Sequence, residues 1–309
     1  MTKLLDNIPS KEWVHARMNY LGGSELASAF GKSKYQTPLQ LWMIKTGRME
    51  PQGSTPITEL GHILEPVIAE KFCQTTGLKV RNISEAYEHP EYSFLRGNID
   101  RQIISSELHD SPGVLEIKST SSMRLKSEEN LYPLSWEYQI QWYMFLTGYQ
   151  YSYLAIMERD TGFFHEPILI RRNQELIDQL FEKAVAWWNR HIIANIPPDP
   201  TTDTDMLLLY PDSMEGKTLE ATPKAYGYYT ELKGVRDRIS DLEKMDEHLR
   251  IKLKQVLGDS EQLLCGGKKL ISWKNSTQNR LDTTAFKKAH PELYKQFLNQ
   301  ITTRRFTVN

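Results

Sequence analysis

Within GVLEIKS (113–119), Glu116 and Lys118 stand two positions apart in a run whose other members are mostly apolar. In a β-strand, side chains i and i+2 share a face, so both charges would emerge together while Leu115 and Ile117 pack the other way. Sixteen positions before Glu116, Asp100 lies in NIDRQI, a stretch that a hairpin would fold back beside GVLEIK. Asp100, Glu116 and Lys118 can then converge from adjacent strands. Two carboxylates of this kind suit a hard cation such as Mg²⁺ or Mn²⁺, shared with water and phosphate oxygens. Such a cation neutralises charge on a phosphoryl transition state, and a nearby lysine positions or deprotonates the attacking water. Taken alone, the three residues read equally as a solvated salt bridge on a strand face. Glu65, in the helical pattern ELGHILEPVIAEKF (59–72), offers a third carboxylate; its competing reading is an acidic residue favoured near a helix N-terminus.

The elements that must position these residues follow from periodicity. TPLQLWMIKTG (37–47) predicts a helix with Thr37 as N-cap, Pro38 in the first turn and Gly47 as terminator. In GHILEPVIAEKFCQTTG the apolar residues Ile63, Leu64, Val67, Ile68 and Phe72 keep helical spacing up to Gly77. LKVR (78–81), SFLRGNIDRQII (93–104) and GVLEIKS read as strands. SWEYQIQWYMFLTG (135–148) predicts a helix capped by Ser135 and stopped by Gly148. YSYLAIMER and FFHEPILI flank a three-residue link, Asp160 to Gly162, as a hairpin. A helix from about Asn173 to Ala194 completes the unit. Trp136, Trp142, Trp187 and Trp188 fall in apolar helical patterns and are expected in the core.

PPDP (197–200) followed by TTDTD is the clearest break. Beyond it, residues 222–256 are long, charged and weakly heptad-like through Leu232, Val235, Ile239, Leu242, Leu249, Ile251 and Leu253, predicting a helical hairpin or one extended helix. A Gly266-Gly267 hairpin, a short helix over Asp282 to Ala289 and a final strand, RRFTV, are expected after it. Residues 217–309 carry 18 Lys and Arg against 11 Asp and Glu, although the whole chain has net charge −1. A basic module attractive to a polyanion or an acidic protein surface is therefore expected beside an acidic one.

The 309-residue chain has 39% hydrophobic and 25% charged residues, the profile of a soluble globular protein. No apolar run approaches the roughly 20 residues of a membrane span, and MTKLLDNIPSKEW lacks the features of a signal peptide. Two distant cysteines, Cys73 and Cys265, argue against a disulfide framework or a cysteine-based zinc site. A cytoplasmic protein is expected.

LGGSELASAFGKSKYQTPLQLW (21–42), ELGHILEPVIAEKF, NIDRQI then GVLEIKST, and YQIQWYMFLTG (138–148) occur in that order. This succession resembles the YqaJ and lambda-exonuclease type of viral recombination nucleases, within the PD-(D/E)xK superfamily, from about Arg17 to Ala194. The resemblance implies an α/β (α+β) fold: a restriction-endonuclease-like core with a mixed central sheet flanked by helices, in an exonuclease domain of residues 1–215. Residues 216–309 then form a basic, mainly helical extension. It further implies Glu65, Asp100 and Glu116 as ligands of two Mg²⁺ ions, with Mn²⁺ as a substitute, Lys118 as the catalytic lysine and Gln139 beside the active site. Arg17 and Ser24 resemble residues that grip a 5′-terminal phosphate; a guanidinium fork and a hydroxyl are apt donors for it. Lys32, Lys34 and Tyr35 are candidate DNA contacts. Ile99 stands where the superfamily name implies proline, a position that supplies no ligand.

The implied activity is 5′ to 3′ digestion of one strand of linear double-stranded DNA, leaving 3′ single-stranded overhangs for phage-type recombination. The implied assembly is a ring-shaped homotrimer working with a single-strand annealing protein, phage or prophage encoded, in a bacterial cell and away from membranes. The extension has no counterpart in this pattern; trimer contacts, DNA tracking or docking of the annealing partner are its expected roles. Two other readings stay open: an endonuclease of repair or restriction type built on the same site, and a DNA-end-binding protein without catalysis. Retention of Glu65, Asp100, Glu116 and Lys118 together speaks against the last.

Overall fold

The computed structural model describes residues 16–51, 53–104, 109–128, 130–299 and 303–308. The N-terminal stretch read for targeting lies outside the described residues. The chain divides into two compact units, one ending at Leu209 and one beginning at Tyr210.

The first unit starts with a turn of 3-10 helix at Arg17–Asn19, strand β1 (Leu21–Gly22), a second 3-10 turn at Gly23–Glu25 and the single turn α1 (Leu26–Ala29). Helix α2 (Pro38–Lys45) begins as its sequence predicts: the Thr37 hydroxyl accepts from Gln40 N while the Gln40 side chain accepts from Thr37 N. Helix α3 (Pro56–Thr76) starts five residues before the expected Gly61, because Thr55 and Thr58 form the cap and Pro56 suits the first turn. Glu65 is consequently mid-helix, which removes the helix-terminus explanation for its charge. Short strands β2 (Val80–Arg81), β3 (Tyr87–Glu88), β4 (Leu95–Gly97) and β5 (Arg101–Ile103) precede the central strand β6 (Gly113–Thr120). Helix α4 (Ser122–Lys126), helix α5 (Leu134–Thr147), strands β7 (Tyr151–Glu158) and β8 (Ile168–Arg171), helix α6 (Gln174–Trp187) and helix α7 (Asp203–Leu209) follow. Asn173 caps α6, which widens into a π-helical turn over Trp188–Ile193.

The five-stranded sheet runs β2-β5-β6-β7-β8, with β6 and β7 parallel and the other neighbours antiparallel. A second sheet, β1-β4-β3, is mixed as well. The expected single strand over 93–104 is thus two strands in two sheets. β4 pairs with β1 and β3 while β5 pairs with β2 and β6, so the chain crosses between sheets at Asn98-Ile99-Asp100. The strand-period alternation on β6 separates two cores. Val114 joins the cluster of Trp142, Ile140, Leu154 and Ile156 beneath α5 and α6. Leu115 and Ile117 join Ile68, Phe72 and Ala155 beneath α3. Burying one Leu or Ile side chain on either face contributes on the order of 2 kcal/mol, so a one-residue slip of β6 would reverse both cores at once. All four tryptophans expected in the core are buried. The mixed α/β class expected from the sequence is the one observed.

Ser135 is not the cap of α5: the helix begins one residue earlier, with Pro133 at the cap position in extended backbone and its carbonyl accepting from Trp136 N.

In the second unit, residues 223–257 form one extended helix, α8 (Pro223–Leu257), capped by Thr222, rather than a helical hairpin. Strands β9 (Gln262–Cys265) and β10 (Lys268–Ser272) form the hairpin at Gly266-Gly267. Helix α9 (Thr283–Ala289), capped by Asp282, is followed by α10 (Pro291–Gln296), which sequence reasoning missed. RRFTV is not a strand. The β9-β10 sheet has two strands, so this segment lacks a ladder to join; Arg304 instead donates to the Tyr210 carbonyl. Among the described residues no helix is long and apolar enough to cross a membrane.

Candidate active site

Glu116 leaves β6 on the same face as Val114 and is fully buried. Both of its carboxylate oxygens lack a hydrogen-bond partner. Lys118 Nζ lies 2.6 Å from Glu116 Oε1, an ion pair whose angles fall short of a hydrogen bond. The ammonium is held from the other side by Gln139 of α5, whose Oε1 accepts from it at 2.9 Å. It also sits 5.8 Å from the ring of Trp136. Gln139 Nε2 in turn donates to the Tyr143 hydroxyl at 3.0 Å, one helical turn on.

Asp100 occupies the crossing between the sheets just before β5, and its Oδ2 accepts from Ile117 N at 2.7 Å. That bond ties the carboxylate to the strand that carries Glu116 and Lys118. Burial pushes the Asp100 carboxyl well above its ordinary pKa; the negative charges of Glu116 and Glu65 push the same way, and Lys118 opposes them. Glu116 is raised as well, chiefly by burial, with Lys118 pulling against it. Two desolvated carboxyls, both raised, with Lys118 the opposing positive charge on each, form a site short of positive charge.

Glu65 reaches the cluster from α3, on the other face of the sheet. Its Oε1 pairs with Arg101, and His62 Nδ1 lies 3.9 Å from its Oε2. Burial disfavours the Glu65 charge, but His62 and Arg101 outweigh it and hold the pKa below the ordinary value. Arg101 lies opposite Leu115 across the β5-β6 ladder and so shares its face, which brings the guanidinium to α3. Sequence reasoning missed Arg101, although it directly follows Asp100.

Among the described residues no three carboxylate, histidine or cysteine side chains are arranged to hold a metal ion. The donors nevertheless fit a hard divalent cation in part. The two unbonded oxygens of Glu116 and the crowded carboxyl of Asp100 are hard ligands in need of a cation. Glu65 has one oxygen, Oε1, engaged by Arg101 and the other, Oε2, 3.9 Å from His62.

Arg17 and Ser24, expected to act together, do meet: Arg17 Nη2 donates to Ser24 Oγ at 2.8 Å. Behind them lies a second carboxylate-lysine pair that the sequence did not signal, because its members are 20 positions apart on different elements. Lys45 Nζ reaches both oxygens of Glu25 at 2.9 and 2.8 Å and also bonds the carbonyls of Arg17 and Tyr20. Gly22 N donates to Glu25 Oε2 at 2.9 Å, and Arg17 Nη2 lies 3.4 Å from Oε1. Burial raises the pKa of Glu25, but Lys45 and then Arg17 more than offset it, and the net shift is downward.

Close approach joins this corner to the carboxylates. A Cβ on Gly23 would lie 2.9 Å from Tyr143 Cε1 and 3.1 Å from Trp142 Cδ1, so only glycine lets the LGGSE turn press onto α5. Gly97 is crowded by Tyr143 from the opposite side. Tyr143 is buried, and its hydroxyl pKa is pushed far up by burial and then by the charges of Glu116 and Asp100, while Arg17 pulls it down. The tyrosine therefore lies within electrostatic reach of both corners and stays protonated.

Lys34 and Tyr35 meet the segment after β6: Lys34 Nζ is 3.2 Å from Glu128 Oε1, and the Arg124 guanidinium lies 5.0 Å from the Tyr35 ring and 5.6 Å from Trp136. Lys32 is exposed, its backbone N–H bonded to the Ala27 carbonyl. Ile99, beside Asp100, packs into the core.

The chain is 28% identical over 305 residues to the uncharacterized protein YqaJ of Bacillus subtilis (strain 168), covering 96% of this chain and 93% of that protein. Among solved structures it is similar to an alkaline exonuclease (LHK-Exo) from Laribacter hongkongensis, with 18% identity, coverage of 59% of this chain and 92% of that one, and a TM-score of 0.47. It is similar also to a phage-related exonuclease from Haemophilus somnus 129PT, with 15% identity, coverage of 57% and 96%, and a TM-score of 0.42. Residues 12–150, which hold every candidate site residue named above, match the family model of a YqaJ-like viral recombinase domain.

Proposed function

We propose that the chain is a metal-dependent deoxyribonuclease that enters linear double-stranded DNA at a 5′ end and degrades that strand 5′ to 3′, leaving 3′ single-stranded overhangs for recombination. The observation that carries the reading is Glu116: a fully buried carboxylate, both oxygens unbonded, beside a lysine held in place by Gln139. Burying a carboxylate whose hydrogen-bonding capacity is left unfilled beyond one ion pair costs on the order of 3 kcal/mol, and such a group is retained where function uses it. The viral recombinase family of the domain supports the same reading.

In this mechanism Asp100 and Glu116, joined by Glu65, hold Mg²⁺, with Mn²⁺ as a substitute. The cation supplies charge neutralisation at the scissile phosphate and acidity for water. Gln139 fixes Lys118 so that its ammonium faces the carboxylates, where it would orient the attacking water and donate a proton from Nζ. Arg17 and Ser24 receive the 5′-terminal phosphate, exchanging their mutual hydrogen bond for bonds to its oxygens. A homotrimer around the DNA and an annealing protein that takes up the overhang belong to the same proposal.

The test uses purified protein with linear duplex DNA bearing 5′-phosphate or 5′-hydroxyl ends and with closed circular DNA, in Mg²⁺ and in chelator. Mg²⁺-dependent loss of linear DNA, faster from phosphorylated ends, is the expected result. Cutting of circles would replace the exonuclease by an endonuclease, and binding without cleavage in either metal would overturn the enzyme reading.

A further inference from the structure

Helix α8 keeps an apolar residue at alternating spacings of four and three along nearly its whole length. With Leu232, Ile239, Asp246 and Leu253 at a, the d positions are Tyr228, Val235, Leu242, Leu249 and Val256. These nine positions form one stripe roughly 42 Å long at 1.5 Å per residue. The stripe is open to solvent: Leu242 is 63% exposed, Leu249 56% and Val256 70%. A 35-residue helix with two internal glycines, Gly227 and Gly234, gains little from propensity alone, so the seam calls for a partner.

The flanking charges identify that partner. In a parallel pair of α8 helices, each g residue faces the e residue five positions on in the other copy. Glu231 then faces Arg236, and Arg238 faces Glu243, both of opposite sign, and symmetry doubles each pair. Asp246, the one polar a residue, brings its own counter-charge, because Arg250 Nη1 lies 3.5 Å from its Oδ2 at the neighbouring e position. A polar a residue costs stability but penalises registers that set it against leucine.

We infer that α8 is a parallel coiled-coil element through which this chain pairs with a second copy of itself, Asp246 marking the register. The inference rests on α8 alone and is independent of the nuclease reading.

Full-length protein carrying Leu242→Cys, with Cys265→Ser to remove the exposed thiol, is oxidised mildly and its cross-links are mapped by mass spectrometry. Parallel pairing links residue 242 to residue 242 of another chain. Two charge variants are made in that background, one with Arg236→Glu and Arg238→Glu, the other with Glu231→Lys and Glu243→Lys. Each alone sets like charges across the seam and should lose the link by about tenfold or more, while mixing the two restores it between unlike chains. No 242–242 link in the parent, as when another segment of the same chain covers the stripe, would overturn the proposal. Equal linking by each charge variant alone would do so too.

Discussion

Among the described residues of the first unit, two carboxylate-lysine pairs lie away from the surface, and their surroundings differ in one decisive respect. At Glu25–Lys45 the carboxylate takes a backbone N–H besides the lysine, and the lysine also bonds two backbone carbonyls. At Glu116–Lys118 the carboxylate is buried more deeply, 0% exposed against 15% for Glu25, its contact to a donor is the Lys118 ion pair alone, and a second carboxyl, Asp100, crowds it. A buried ion pair stabilises a fold only when its remaining hydrogen-bonding capacity is filled. The first pair therefore has the character of a structural clamp beneath Arg17 and Ser24. The second has the character of a site kept open for chemistry.

Each pair can be broken in a way that tests the contrast. Lys118→Ala should lower strand digestion by at least about 10³-fold with DNA binding largely intact, since it removes a group that the proposed mechanism sets at the reacting atoms. Single-turnover cleavage and a binding titration on the same DNA separate the two, and full turnover would remove Lys118 from the mechanism. Glu116→Gln should abolish activity to a similar degree, yet leave the melting temperature unchanged or higher, because it relieves repulsion with Asp100. Lys45→Met should do the opposite, costing about 3–5 kcal/mol by leaving Glu25 buried without its main counter-charge. Denaturant midpoints of the two variants give the comparison directly.

Smaller effects are expected at the seam between the pairs. Gly23→Ala should cost about 1–3 kcal/mol, since its methyl has no room against Tyr143 and Trp142. Arg17→Ala should reduce the preference for 5′-phosphorylated over 5′-hydroxyl ends by roughly tenfold, the value of one charge-assisted hydrogen bond; an unchanged preference would place end recognition elsewhere. The pH dependence has a defined sign. Glu25 has its folded pKa below the ordinary 4.5, so the stability it contributes is present above that value and is lost as pH falls through the folded one. Acid unfolding followed in parallel for wild type and Glu25→Gln should show this limb only in the wild type.

Much of this was legible from residue order. Period-two alternation around Glu116 gave the opposed faces of β6, and the 3.6-residue pattern with Thr37, Pro38 and Gly77 gave the bounds of α2 and the end of α3. Short-range stereochemistry decides these features, so they can be read within a window of ten or so residues. The errors occurred where a distant partner decides. SFLRGNIDRQII reads as one strand because nothing local shows that Leu95 pairs with Leu21 and Ile103 with Val80 and Gly113. RRFTV has strand composition but no ladder to join.

For the site, residue types and spacing named Glu65, Asp100, Glu116 and Lys118, and the family resemblance added Gln139, Arg17 and Ser24. It could not tell which charges are satisfied. Both Glu25 and Glu116 are glutamates among apolar neighbours, and local pattern assigns them no different fates. Burial and hydrogen bonding arise from elements far apart in the chain, α2 folding under the LGGSE turn and α5 crossing behind β6. Only that tertiary arrangement gave Glu25 a backbone donor besides its lysine and left Glu116 with the Lys118 ion pair alone.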